Sequence, residues 1–165
     1  MKITRRDGLR MAGAAALAAT IPAYARADAH ATTHEVEMLN KAADSNDRNV
    51  FGPPVLRIQV GDTVKFVPTD RGHNSVVNED MMPEGGDTWD GRINEEVEVT
   101  FTTPGTYGYY CTPHRATGMV GLILVGEIDM EQFEAAKETR KRGRARQRYD
   151  EYFAMAEDML AEENA

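Results

Sequence analysis

A single cysteine, Cys111, stands among 165 residues, so no disulfide can form within the chain and its core must be sufficient to hold the fold. Histidine is almost as scarce: His30, His34, His73 and His114 are all there are. That leaves too few imidazoles for two separate metal centres, one of them open to substrate. Long apolar runs are missing as well. The longest near the start, Met11 to Ile21, falls short of the roughly 20 residues needed to span a bilayer. Basic residues are the minority, 19 Lys and Arg against 27 Asp and Glu, a formal net charge of −8. Such a balance excludes a nucleic-acid binder, which needs a basic footprint for phosphates. No repeat, low-complexity tract or second domain is visible.

The first residues read as an address. Thr4-Arg5-Arg6-Asp7-Gly8-Leu9-Arg10 is basic with paired arginines, an Ala-rich apolar stretch follows, and Ala23-Tyr24-Ala25-Arg26-Ala27 offers small residues for cleavage. The paired arginines point to twin-arginine export; Gly8, where a bulky apolar residue is usual, keeps an ordinary secretory signal open. Cleavage is expected after Ala27, with Ala25 as the alternative. Residues 1–27 are thus an export signal, 28–126 the folded domain and 127–165 a helical extension packed on it. Removing the signal takes five basic residues and one acid, leaving 14 against 26 and a net charge of −12. The expected compartment is the periplasm, with no membrane contact after cleavage.

From Ala29 to Gly126 the pattern is short and alternating. Leu56, Ile58 and Val60 alternate with Val55, Arg57 and Gln59; Val64 and Phe66 follow the Gly61-Asp62 turn; Val97, Val99 and Phe101 repeat the period of two. That period predicts strands with one buried face. Pro104-Gly105 is a turn signal, Tyr107 to Cys111 a further strand, and Met119 to Val125 a strand buried on both faces. Glu35 to Leu39 opens the fold. Many short strands divided by turns read as a sandwich or barrel. The stretch Asn78 to Asn94 lacks alternation, with Trp89 tacking it to the body and Met81-Met82 either filling gaps or facing a partner.

Beyond Gly126 the period becomes helical. Asp129 with Gln132 three places on forms a capping-box pattern, and the helix is expected to run to about Arg142 and break at Gly143. Tyr149, Tyr152, Phe153, Ala156, Met159 and Leu160 then mark one apolar stripe. Seven basic residues lie between and beside these elements: Lys137, Arg140, Lys141, Arg142, Arg144, Arg146 and Arg148. They are read as a solvated helix junction, with a partner-binding patch as the alternative.

The chemistry gathers at Cys111-Thr112-Pro113-His114, with Met119 five places on. Thiolate, imidazole and thioether are soft to borderline donors, and His73 in Gly72-His73-Asn74 is the candidate fourth ligand. Two imidazoles, one thiolate and a weak axial thioether form the donor set of a blue-copper electron-transfer site, one type 1 copper ion. His73 is expected on a strand, the other three on one loop. Asn74 and Pro113 are candidate neighbours that orient the ligands, Pro113 by withholding an N–H from the thiolate. Holding the lone thiol as a metal-bound thiolate also protects it from oxidation. A Cys–His nucleophile wants a third orienting group and a cleft, and methionine is a poor zinc ligand; no enzyme is expected. His30 and His34 read as exposed and outside the site.

At these residues the chain resembles the pseudoazurins, small blue-copper proteins of the cupredoxin superfamily. The resembling stretches are Glu35 to Lys41, Gly61-Asp62-Thr63-Val64, Gly72-His73-Asn74, Met82-Pro83-Glu84-Gly85, and Cys111 to His114 through Gly118-Met119. The resemblance implies an eight-stranded Greek-key cupredoxin sandwich with two C-terminal helices, and copper at one end bound by His73, Cys111, His114 and Met119. It implies that His114 is the electron's exit within an apolar docking patch, to which Pro113, Ala116, Met81, Met82 and Pro83 contribute beside Arg115. It further implies a monomer that passes electrons from a cytochrome-type donor to copper nitrite reductase or another periplasmic reductase. A copper-delivery protein, or an amicyanin-like carrier serving a dehydrogenase, is the alternative. The family tends to ring its patch with lysines; here Arg71 and Arg115 remain while Glu79, Asp80 and Asp87 are acidic, which leaves the partner open.

Overall fold

A computed structural model describes residues 31–139, 141–163 and 165. The expected export segment, His30 and Arg140 lie outside the described residues. Among the described residues, eight strands, two helices and a short 3-10 turn (Glu79–Met81) follow in order: β1 Thr33–Lys41, β2 Arg48–Gly52, β3 Val55–Ile58, β4 Thr63–Val67, β5 Val76–Val77, β6 Val97–Thr100, β7 Gly105–Tyr110, β8 Val120–Val125, α1 Met130–Glu138 and α2 Gly143–Glu163. They form two four-stranded sheets, β2-β1-β4-β6 and β3-β8-β7-β5. Each sheet holds one parallel pair, β1 with β4 and β3 with β8, whose strands are not successive in the chain. The sandwich therefore closes through long-range pairing.

Alternation explains the inner faces. Val36 and Met38 from β1, Val64 and Phe66 from β4, and Tyr107 and Tyr109 from β7 meet between the sheets. Phe66 stacks on Trp89 at 5.5 Å between ring centroids, with an interplanar angle of 22°. Trp89 also donates its Nε1–H to Ser75 Oγ at 2.9 Å, so the irregular segment before β6 is tied to the body. All six residues of β8 are buried, since both its faces are covered. Ile123 and Val125 enter the inter-sheet core, while Val120, Leu122 and Leu124 face the helices with Phe133, Tyr149 and Phe153. β3 departs from the expected alternation: Val55 and Ile58 are buried and Val60 is 42% exposed, because the strand ends at Ile58.

The helices dock on the sheet's outer face. Asp129 caps α1 by accepting from Glu131 N–H at 2.8 Å, but the expected capping box does not close. Gln132 turns instead to β7, its Oε1 accepting from Thr106 N–H at 2.8 Å and its Nε2 donating to Thr106 C=O at 2.9 Å. α1 also stops at Glu138, four residues before the expected end. Lys141 then folds back to donate to the carbonyls of Ala136 and Lys137, satisfying acceptors that every helix end leaves free. The stripe on α2 buries Tyr149, Tyr152, Phe153 and Ala156, while Met159 and Leu160 are half-buried. Tyr149 Oη donates to Tyr109 C=O at 2.8 Å. No helix among the described residues is long and apolar enough to cross a membrane.

Candidate metal centre

The loop between β7 and β8 carries three of the four expected ligands. Its nine residues are folded on themselves: Cys111 N–H donates to Met119 C=O at 3.0 Å, and Met119 N–H to His114 C=O at 3.0 Å. Gly118 adopts φ +91°, a region side chains resist, and so lets the loop turn into β8. His73 comes from the connection between β4 and β5 rather than from a strand, which corrects the expectation. Extended strand pairing begins only at Val76. The connection is held by Asn94, whose Oδ1 accepts from Gly72 N–H at 2.6 Å and whose N–H donates to His73 C=O at 2.8 Å.

These two segments, 38 residues apart at His73 and Cys111, converge. Cys111 Sγ lies 3.8 Å from His73 Nδ1 and 3.5 Å from His114 Nδ1, and the two Nδ1 atoms are 3.1 Å apart. His73 and Cys111 are fully buried; His114 is half-buried. Dividing the mean side of this triangle by √3 puts a central point about 2.0 Å from each atom, close to the ~2.0–2.3 Å of metal–imidazole and metal–thiolate bonds. Two imidazoles and a thiolate so placed fit a copper ion. His73, Cys111 and His114 form the one such group of metal-binding side chains among the described residues. Met119, at the loop's end, is fully buried, and its main chain pairs with Cys111 and His114.

Electrostatics keeps the donors available. Burial and then the neighbouring His114 hold His73 below the ordinary imidazole value, with Asp70 opposing. A neutral ring has one N–H, and Nε2 faces Asn40 Oδ1 at 3.0 Å. That acceptor selects the tautomer whose Nδ1 lone pair points inward. Burial pushes the Cys111 thiol up, while the main-chain N–H groups of Asn74 and His114 pull it back. Asn74 also joins the two segments: Oδ1 accepts from Thr112 N–H at 2.8 Å, and Nδ2 donates to Gly91 C=O at 2.9 Å and Thr112 Oγ1 at 3.1 Å. Pro113 contributes no N–H and is exposed.

The expected docking residues separate. Pro113, Arg115 and Ala116 are exposed on the ligand loop, and the Arg115 guanidinium lies over the Tyr110 ring at 4.2 Å. Met81 and Pro83, by contrast, are buried and Met82 is half-buried against the inter-sheet core. Met81 packs over Gly108 in the middle of β7, and Pro83 over Gly105 at the strand's start, away from the loop. Met81 fills the gap left by Gly108 and is closed to a partner, while Met82 keeps part of its surface. His34 also departs from expectation: it is half-buried, with Nε2 2.9 Å from Asp62 Oδ2. Spacing does not single out Asn40 or Asn94, although Asn40 lies within a stretch of family resemblance.

Sandwich and site together define a class of small copper-binding proteins. The family model described as copper binding proteins, plastocyanin/azurin family, matches residues 36–126, and the chain belongs to that family. The pseudoazurin of Paracoccus pantotrophus is 42% identical over 142 residues, spanning 86% of this chain and 92% of the relative. That of Methylorubrum extorquens is 38% identical over 86% and 89%. A solved pseudoazurin structure from Sinorhizobium meliloti superposes with a TM-score of 0.73 at 46% identity, covering 76% of this chain and 97% of the other. Within the family the chain falls with the pseudoazurins, blue-copper electron-transfer proteins rather than enzymes.

Proposed function

We propose that the mature protein is a periplasmic one-electron shuttle whose copper is held by His73 Nδ1, Cys111 Sγ and His114 Nδ1, with the Met119 thioether as weak axial ligand. The observation that carries this reading is the triangle of donor atoms, all within 4.8 Å of one another and assembled from distant segments. Bound copper supplies the chemistry, cycling between Cu(I) and Cu(II). The chain's contribution is to keep the donors in place through both states. Asn40 orients one ring, Asn74 ties its segment to the ligand loop, and the loop's own hydrogen bonds fix the rest. Less rearrangement then accompanies each transfer. Burial of His73 and Cys111 excludes water, while the half-buried His114 is the route out.

Residues 1–27 serve as the export signal, 28–126 as the copper domain and 127–165 as its helical cover. Around His114, the exposed Pro113 and Ala116 with Arg115 beside them form the docking patch. A cytochrome-type donor and copper nitrite reductase, or another periplasmic reductase, are the partners this patch would serve. A site preassembled and buried to this degree disfavours the alternative of handing Cu(I) to an acceptor. The test is an absorption spectrum of the copper-loaded protein mixed with reduced cytochrome and then with nitrite reductase. An intense blue band that bleaches on reduction and returns with the reductase is expected, and Cys111→Ser should abolish it. A colourless protein under oxidant would end the carrier reading; a blue protein inert toward the reductase would remove only that partner.

A further inference from the structure

The basic run after α1 was expected to be solvated, yet Arg148 is 3% exposed. It falls on the apolar stripe of α2, four residues before Tyr152, where a charge must find partners. Its guanidinium finds four. Nη1 donates to Asn49 C=O at 2.8 Å and Gly118 C=O at 2.9 Å; Nη2 donates to Arg48 C=O at 3.0 Å and Asp47 Oδ1 at 3.1 Å. Three of these acceptors are main-chain carbonyls from two separate segments. A planar fork of donors can hold several acceptors at fixed angles, which a lysine cannot.

One of these segments is the ligand loop. Gly118 C=O and Met119 N–H belong to the same peptide plane. Arg148 holds the carbonyl side, and His114 C=O accepts from the N–H side at 3.0 Å. The plane from which the Met119 side chain departs is thereby pinned at both edges. The helix sits directly on it: a Cβ at Gly118 would fall 2.7 Å from Arg144 Cγ and 3.2 Å from Arg148 Cδ. Asp47, beneath the fork, also accepts from Arg144 at 2.8 Å, so the turn before β2 is locked into the same cluster.

We infer that Arg148 is a positioning residue for the Met119 thioether: by clamping the Gly118–Met119 peptide, α2 sets how closely the axial ligand approaches the metal and thereby tunes the redox potential. This rests on Met119 being the axial ligand. Helix α2 is then part of the metal-site scaffold as well as a cover for the sheet. Other members of the basic run have their own employment, Lys137 with Glu157 and Arg146 with Asp150, and neither touches the loop.

The experiment compares Arg148→Met, Arg148→Lys and Phe153→Leu as copper-loaded full-length mature proteins. Arg148→Met keeps much of the stem volume and removes the fork. It should change the relative intensity of the visible charge-transfer bands, move the midpoint potential and weaken copper binding by roughly tenfold or more, the usual effect of losing a group that orients a ligand. Arg148→Lys should fall between it and the parent. Phe153→Leu loosens the same helix at its contact with Phe133, 5.1 Å between ring centroids and on the side of the helix that packs on α1, so it should lower the melting temperature and leave spectrum and potential alone. A folded Arg148→Met protein with parental spectrum and potential overturns the inference. So does a Phe153→Leu protein shifted as far as Arg148→Met. If Arg148→Met does not fold, Asp47→Asn decides, since Asp47 is 42% exposed: a shift in potential supports the clamp and no shift overturns it. Met119→Gln measured alongside separates the two claims, because an unchanged potential there removes the axial ligand itself.

Discussion

Replacing Asn40 with alanine removes the acceptor that faces His73 Nε2 at 3.0 Å and leaves the fold nearly untouched. The main-chain N–H of Asn40 still donates to Asp70 Oδ2 at 2.7 Å, and the residue is exposed, so water can replace the lost side chain. A single neutral hydrogen bond contributes about 0.5–1.5 kcal/mol net, and an exposed site belongs at the low end. The copper site should feel more. Without its acceptor the His73 ring loses the contact that selects its tautomer and orientation, a change that typically costs ~10–100-fold in metal affinity, about 1.4–2.7 kcal/mol. Competition with a Cu(I) chelator measures the first quantity and urea melts of the apo-protein the second. The expected result is a loss of affinity larger than the loss of stability. Affinity within twofold of the parent, or a stability loss that exceeds the affinity loss, would show that Asn40 does not orient the ligand.

Three further outcomes follow from the geometry. Burial keeps the Cys111 thiol above its ordinary value, so it is protonated at neutral pH. Copper loading near pH 7 should therefore release about one proton, read by a pH indicator in weak buffer; no release would remove the thiolate from the site. Met119→Gln should retain copper and move the reduction potential, because the weak axial ligand tunes it; an unmoved potential in voltammetry argues that Met119 is not a ligand. Burial pushes the Asp62 carboxyl upward, but hydrogen bonds from Thr32, His34 and Gln59 outweigh it and hold the group below its ordinary value. Its contribution is thus complete above about pH 4 and lost as pH falls through the lower folded value. Asp62→Asn should cost about 1–3 kcal/mol at pH 7 and flatten the acid limb of apo-protein unfolding; an acid limb as steep as the parent's would refute the assignment.

The ligand loop was legible because its chemistry is local: Cys111, His114 and Met119 are separated by three and five residues, and a short loop between two strands must bring them near one another. The same holds for the strands and for the stripe of α2, since periods of two and of three to four encode which face is buried. Arg148 was partly visible too, as a cation at the stripe's own spacing. Spacing alone could not say whether Met81 and Met82 point inward or outward, because a segment without alternation carries no facing signal. The glycines at 105 and 108 make the room that takes Met81 and Pro83 inside.

What the sequence by itself determined is a donor set on one loop, a run of alternating strands and an acidic surface. Tertiary structure alone decided that His73 meets Cys111, that Asn40 faces the far side of the His73 ring, and that Arg148 reaches the peptide before Met119. Each of these contacts joins segments 30 or more residues apart. Local periodicity fixes how a segment is turned, but only the pairing of β1 with β4 and of β5 with β7 fixes which segments lie side by side.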